Sequence, residues 1–270
     1  RGLPEQGAER ADELLDIIAL HDASNIAAVI VEPLAGSAGI FPPPVGYLNR
    51  LRQICDDNNI LLIFDEVICA FGRMGAKTGA EAFGVTPDIM NIAKQLTNGA
   101  MPMGAVVVNQ EIYDCFMETD APEYALELPH GYTYSAHPVA CAAGLASLDF
   151  IQKNNVIDRV ADLAPYFEEA LHSLANSPHV VDIRNYGLAG GITLESYPRE
   201  PMRRPFEVAM DMWNKGFYVR YGGDTVQLGI PFVTERQEIT SVVNALGESL
   251  ASSLILLAYL VAFNFDADNL

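Results

Sequence analysis

Residues Ile60–Lys94 open with ILLIFDEVICAFGRMG and close with PDIMNIAK, and their reading decides the fold. Ile60–Phe64 is a short apolar run that follows Asn58-Asn59 and ends at Asp65-Glu66, the pattern of a buried strand with an acid at its carboxyl end. Pro87–Ala93 reads as a second strand ending at Lys94, before the turn-like Thr97-Asn98-Gly99. A glycine-containing loop and the helical-looking Lys77–Phe83 lie between the two. The pattern is that of a βαβ unit, whose parallel strands point their carboxyl ends into one crevice. Asp65 and Lys94 would then face each other across a cleft.

An acid and a lysine so placed suit a pyridoxal phosphate (PLP) site, with the carboxylate keeping the pyridine nitrogen protonated and the lysine holding the cofactor covalently. Spacing alone favours a plainer reading: a strand-end Asp caps a turn and a lone Lys is solvated. Several ordered motifs reverse those odds. DEVICAFGRMG from Asp65, GVTPDIMNIAKQLTNGAMPMGAVV from Gly84 and HGYTYSAHPVACAAGLA from His130 together resemble the class III aminotransferases, a PLP-dependent group of fold type I. HDASNIAAVIVEP from His21 and KGFYVRYGGDTVQLG from Lys215 bring the resemblance nearest the β-alanine:pyruvate type of ω-amino acid transaminase. The resemblance runs from about Arg1 to Leu250.

The resemblance implies roles residue by residue. Lys94 corresponds to the Schiff-base lysine, whose released amine moves a proton during transamination. Asp65 corresponds to the partner of the pyridinium nitrogen. Val67 would press on the ring face; as ordinary core it would look the same. Thr133 corresponds to the threonine that donates its hydroxyl to the cofactor phosphate of a neighbouring subunit, which implies at least a homodimer with the active site at the subunit interface. Arg220, before Gly222-Gly223, corresponds to the switchable arginine that grips the substrate carboxylate, for which a planar guanidinium is suited. Its plain alternative is a salt bridge to Asp224. Glu32 resembles a carboxylate near the cofactor.

Composition narrows the partners. The chain has 270 residues, half of them hydrophobic, and a formal charge of −19. So acidic a balance argues against nucleic acid and anionic membrane surfaces. Cys55, Cys69, Cys115 and Cys141 are scattered without a CxxC, which suits reduced thiols and a cytoplasmic location. His130 and His137 flank GYTYSA without companion ligands, so no metal is expected. No apolar run reaches the ~18 residues of a membrane span, and the apolar Leu254–Phe263 reads as a buried helix or strand.

Strand and helix patterns alternate through the first half of the chain. Ala11–His21 is helical with Leu14, Leu15, Ile18 and Leu20, Ile26–Val31 is a strand, and Tyr47–Asp57 is a helix with Leu48, Leu51, Ile54 and Cys55 on one face. Ala105–Val108 reads as a strand and Gln110–Thr119 as a helix. The expectation is an α/β fold: part of a large, mostly parallel cofactor domain over 1–150, a smaller α+β domain over 151–250, and a tail over 251–270 of unknown role. Small residues (Ala140, Ala142, Ala143, Gly144) would let the helix after His137 pack closely.

The chain departs from the family pattern at four positions, where Ala70, Gln95 and Ala136 stand for glycine and Met74 for threonine. No glycine-serine phosphate loop precedes Asp65, so the sequence reads as the C-terminal two-thirds or less of a longer enzyme. The expected activity is transfer of an amino group from a β-alanine-like donor to pyruvate, giving a semialdehyde and alanine in ping-pong half-reactions. The rivals are donors such as GABA, diamines or aromatic amines, a PLP-dependent racemase or mutase, and a non-catalytic remnant that binds no cofactor. The 270-residue stretch alone is expected to show little or no activity.

Overall fold

The computed structural model describes residues 1–118 and 121–264, and side chains as far as residue 252. The chain folds into two compact units, Pro4–Pro33 with Pro43–Ile157, and Arg1–Leu3 with Leu34–Pro42 and Asp158–Leu270.

The first unit is built on a four-stranded sheet in the order β1-β2-β3-β4, with β1 Ala28–Val31, β2 Leu61–Asp65, β3 Ile89–Ile92 and β4 Ala105–Val108. β1, β2 and β3 are parallel, because the helices α2 (Tyr47–Asp57) and α3 (Gly79–Phe83) carry the chain back between them. β4 is antiparallel to β3. Residues 93–104 make turns rather than a crossover helix, so the chain reverses and pairs directly. Leu48, Leu51, Ile54 and Cys55 of α2 pack with Leu62, Phe64, Ile60 and Val85 in one core. The helix expected over Ala11–His21 begins as a 3-10 turn at Ala8–Asp12 and becomes α1 only at Glu13–His21. Leu14 is its buried residue, whereas Leu15 and Leu20 are 38% and 78% exposed. α4 (Gln110–Met117) and α5 (Pro138–Lys153) complete the unit.

The second unit carries an antiparallel sheet in the order β5-β6-β8-β7, from β5 Val180–Tyr186, β6 Ala189–Leu194, β7 Arg220–Gly222 and β8 Thr225–Gly229. The helices α6 (Val156–His172), α7 (Arg203–Asn214) and α8 (Arg236–Asn264) accompany it. The glycine pair in β6 explains how both faces of the sheet are covered. A Cβ at Gly190 would lie 2.5 Å from Leu171 Cδ2 and 2.9 Å from Phe167 Cζ, so α6 rests directly on the strand. A Cβ at Gly191 would lie 2.5 Å from the Gly39 carbonyl oxygen. The segment Leu34–Pro42, which follows β1 in sequence, therefore belongs to this unit. Arg184 secures it: Nε donates to the Gly39 carbonyl at 2.9 Å and the guanidinium stacks 4.0 Å from the centre of the Phe41 ring. Leu254–Phe263 continues α8, and its side chains fall outside those described.

Candidate active site

β2 and β3 place the acid and the lysine at the same end of one sheet. Asp65 is the last residue of β2 and pairs with Asn91 of β3. Lys94 follows two residues after β3 and opens the 3-10 turn Lys94–Leu96. The chain turns immediately after Asp65, so Val67 is not a strand residue. Its N–H donates to Asp65 Oδ1 at 3.0 Å, fixing one oxygen of that carboxylate. Asp65 and Val67 are half-buried, and Lys94 is exposed, its side-chain amine engaged by no hydrogen bond or ion pair among the described residues.

Lys94 sits at φ 44°, left-handed backbone that side chains other than glycine seldom adopt. Such strain persists only where the surroundings enforce it, and it collects at functional sites. α5 packs against the turn that Lys94 opens. Ser147 Oγ donates to the Gln95 carbonyl at 3.0 Å, and a Cβ on Gly144 would lie 3.7 Å from the Leu96 carbonyl oxygen. Of the small residues expected to let α5 pack closely, Ala140 and Gly144 are buried and Ala142 faces outward.

Thr133 lies in the exposed turn before α5, which the Tyr132 N–H closes on Ser135 Oγ at 3.0 Å. Ala136 ends that turn at φ 57°. Ala136 is thus the one of the four departures that holds a conformation glycine would favour; Ala70, Met74 and Gln95 do not. Glu32 is half-buried just beyond β1. Arg220, in the second unit, is the exposed first residue of β7, and its plain alternative fails: Asp224 instead accepts from Ser196 Oγ and from the Met202 N–H.

Glu66, the acid that follows Asp65, has a place in the structure that the strand pattern does not assign. Its side chain is 0% exposed, and its carboxylate accepts from the Gly79 N–H at 2.7 Å and the Ala80 N–H at 2.8 Å. Burial is the largest influence on its acidity and pushes it above the ordinary carboxylate value, while the two N–H groups pull the other way and neighbouring Asp65 adds to the rise. The signal in the sequence was the Asp65-Glu66 pair itself. Among the described residues, no group of three or more His, Cys, Asp and Glu could hold a metal ion, and no helix is long and apolar enough to cross a membrane.

Residues 3–250 match the family described as Aminotransferase class-III. Over 251 residues the chain is 60% identical to the beta-alanine–pyruvate aminotransferase of Pseudomonas aeruginosa and 59% identical to the omega-amino acid–pyruvate aminotransferase of Pseudomonas putida. Each alignment takes in 93% of this chain and 56% of the relative, so the chain spans about half the length of the curated relatives it matches. Among solved structures, an engineered thermostable omega transaminase superposes with a TM-score of 0.87 at 29% identity, over 94% of this chain and 58% of that one. An amine transaminase from an uncultivated Pseudomonas species gives 0.85 at 36% identity, over 91% and 56%. The acid and lysine at neighbouring strand ends thus stand in a chain that belongs to the class III aminotransferases, a PLP-dependent family of fold type I.

Proposed function

We propose that the protein is an ω-amino acid transaminase that moves the amino group of a β-alanine-like donor to pyruvate, leaving a semialdehyde and forming alanine. The observation that carries this reading is the pairing of Asp65 and Lys94 at the carboxyl ends of adjacent parallel strands, in a chain 60% identical to a beta-alanine–pyruvate aminotransferase. The donor set fits PLP chemically. Asp65 keeps one carboxylate oxygen on the Val67 N–H and has the other for a ring nitrogen, and Lys94 presents an amine that nothing else among the described residues engages.

Bound PLP supplies an electron sink that stabilises negative charge on the amine-bearing carbon of a substrate. Asp65 would hold the pyridine nitrogen protonated, as an ionised carboxylate in a half-buried site favours its cationic partner. Val67 would set the height of the ring. Lys94 Nζ would anchor the cofactor and, once the donor displaces it, take the proton from the donor carbon as general base and return it as general acid. In the second half-reaction the same amine would deliver a proton to what was the pyruvate carbonyl carbon. Arg220 would bind the substrate carboxylate through paired N–H donors. Its exposure on a short strand beside Gly222 and Gly223 supports a side chain able to swing aside.

Thr133, exposed in the turn before α5, supports the reading in which its hydroxyl serves the phosphate of a second subunit, making the working unit at least a homodimer. Four thiols outside any disulfide support a reducing compartment and a cytoplasmic location. Stoichiometric conversion of pyruvate to alanine with β-alanine as donor, by the protein expressed from its complete gene, tests the activity. Racemisation of alanine without net transfer would sink it in favour of a racemase.

A further inference from the structure

Glu66 presents a cost that the fold alone does not explain. A carboxylate is expensive to remove from water, and one that is fully buried needs hydrogen-bond donors to persist. Glu66 has them in the Gly79 and Ala80 N–H groups, but these open a helix of five residues that already has its own cap. Thr78 Oγ1 accepts from the Glu81 N–H at 3.0 Å. A threonine-capped single turn at the edge of a loop does not require a second, buried acid.

The backbone of Glu66 shows what the arrangement fixes. Its N–H donates to the Asn91 carbonyl at 2.9 Å, three residues before Lys94, and its carbonyl accepts from the Ala70 N–H at 2.9 Å. One residue therefore joins the end of β2, the end of β3 and the first turn of α3, and closes the loop that begins at Val67. Close packing permits little slack here: a Cβ on Gly79 would lie 2.7 Å from Pro33 Cβ and 3.2 Å from Glu66 Oε1. We infer that Glu66 is a positioning residue for the acid–lysine pair, its buried carboxylate tying β2 to α3 so that Asp65 is held at a fixed height beside the strand that delivers Lys94. The inference rests on the proposed PLP chemistry, since a position matters only if Asp65 meets a ring.

The test uses the protein expressed from its complete gene, as wild type, Glu66→Gln and Gly79→Ala. Gln keeps the size of the side chain but offers one acceptor where two N–H donors point. Gly79→Ala leaves the acid in place and adds a methyl group that crowds Pro33 and Glu66 Oε1. Two quantities are read: the pH at which the visible absorbance of the lysine-bound cofactor changes, and the split between kcat and KM. A positioning role predicts a shifted absorbance midpoint in both variants and kcat down by about 10- to 100-fold, with the KM for the amino donor within about twofold. An unshifted midpoint and an unchanged kcat in folded variants with a lowered melting temperature would make Glu66 a structural residue only and overturn the inference. If Glu66→Gln does not fold, Gly79→Ala alone decides. A wild-type protein with no lysine-bound absorbance sinks the PLP reading itself, and the inference with it.

Discussion

At the scale of single residues, the acid–lysine pair depends on the backbone beneath the groups that name it. Lys94 holds a left-handed φ of 44°, and Asp65 has one oxygen committed to the Val67 N–H. On the proposed chemistry Lys94→Ala removes the general acid–base group, so transamination is expected to fall by about 100- to 10,000-fold, read as kcat in a pyruvate-to-alanine assay. Glu66 gives a pH signature independent of catalysis. Its folded-state value is raised above the ordinary 4.5 by burial, so the folded protein binds its proton more tightly than the unfolded one. The stability this confers is complete below 4.5 and is lost as pH rises through the folded value. Denaturant unfolding followed upward from pH 4.5 should show that loss in the wild type and not in Glu66→Gln; equal slopes would contradict the assignment. Asp65 and Lys94 were legible in sequence because an apolar run followed by an acid, and another followed by a lysine, announce strand ends. Glu66 was not legible as a tie, since its partners are backbone groups brought back by the Val67–Thr78 loop.

At the scale of elements, local pattern and tertiary contact divide the work. α2 follows its pattern closely: Leu48, Leu51, Ile54 and Cys55 recur at helical spacing, and all four are buried. Ile54→Ala empties a site that is 1% exposed and is expected to destabilise the protein by about 2–5 kcal/mol in denaturant unfolding. α1 follows its pattern only in part, because an apolar residue is buried only if something faces it: Leu14 enters the core and Ile18 packs against it, while Leu15 and Leu20 stay exposed. β4 runs antiparallel because a chain of turns replaced a crossover helix, a choice that no strand pattern encodes. β6 depends on its glycines. Gly191→Ala would drive a methyl group into the Gly39 carbonyl, and overpacking of that kind is expected to cost about 1–3 kcal/mol, visible as a lower melting temperature. A variant as stable as wild type would show that the Leu34–Pro42 segment does not bear on the strand.

At the scale of the whole chain, the sequence order hides one assignment. Leu34–Pro42 lies between β1 and α2, yet it belongs to the unit built mainly from residues after 157. Composition could not show this, because the segment is held by Arg184 and by Gln227, whose Nε2 donates to the Ser37 carbonyl at 3.1 Å, both far away in sequence. The family, in contrast, was legible from motifs spread between His21 and Gly229, since their order and spacing survive even where glycines have been replaced. The central claim is that Lys94 is the covalent anchor of PLP. The most direct measurement is borohydride reduction of the protein with bound PLP, followed by peptide mapping. A pyridoxyl group on the peptide carrying Lys94, absent from Lys94→Ala, is the predicted result. Label on another lysine, or none in a folded protein that has bound the cofactor, would contradict it.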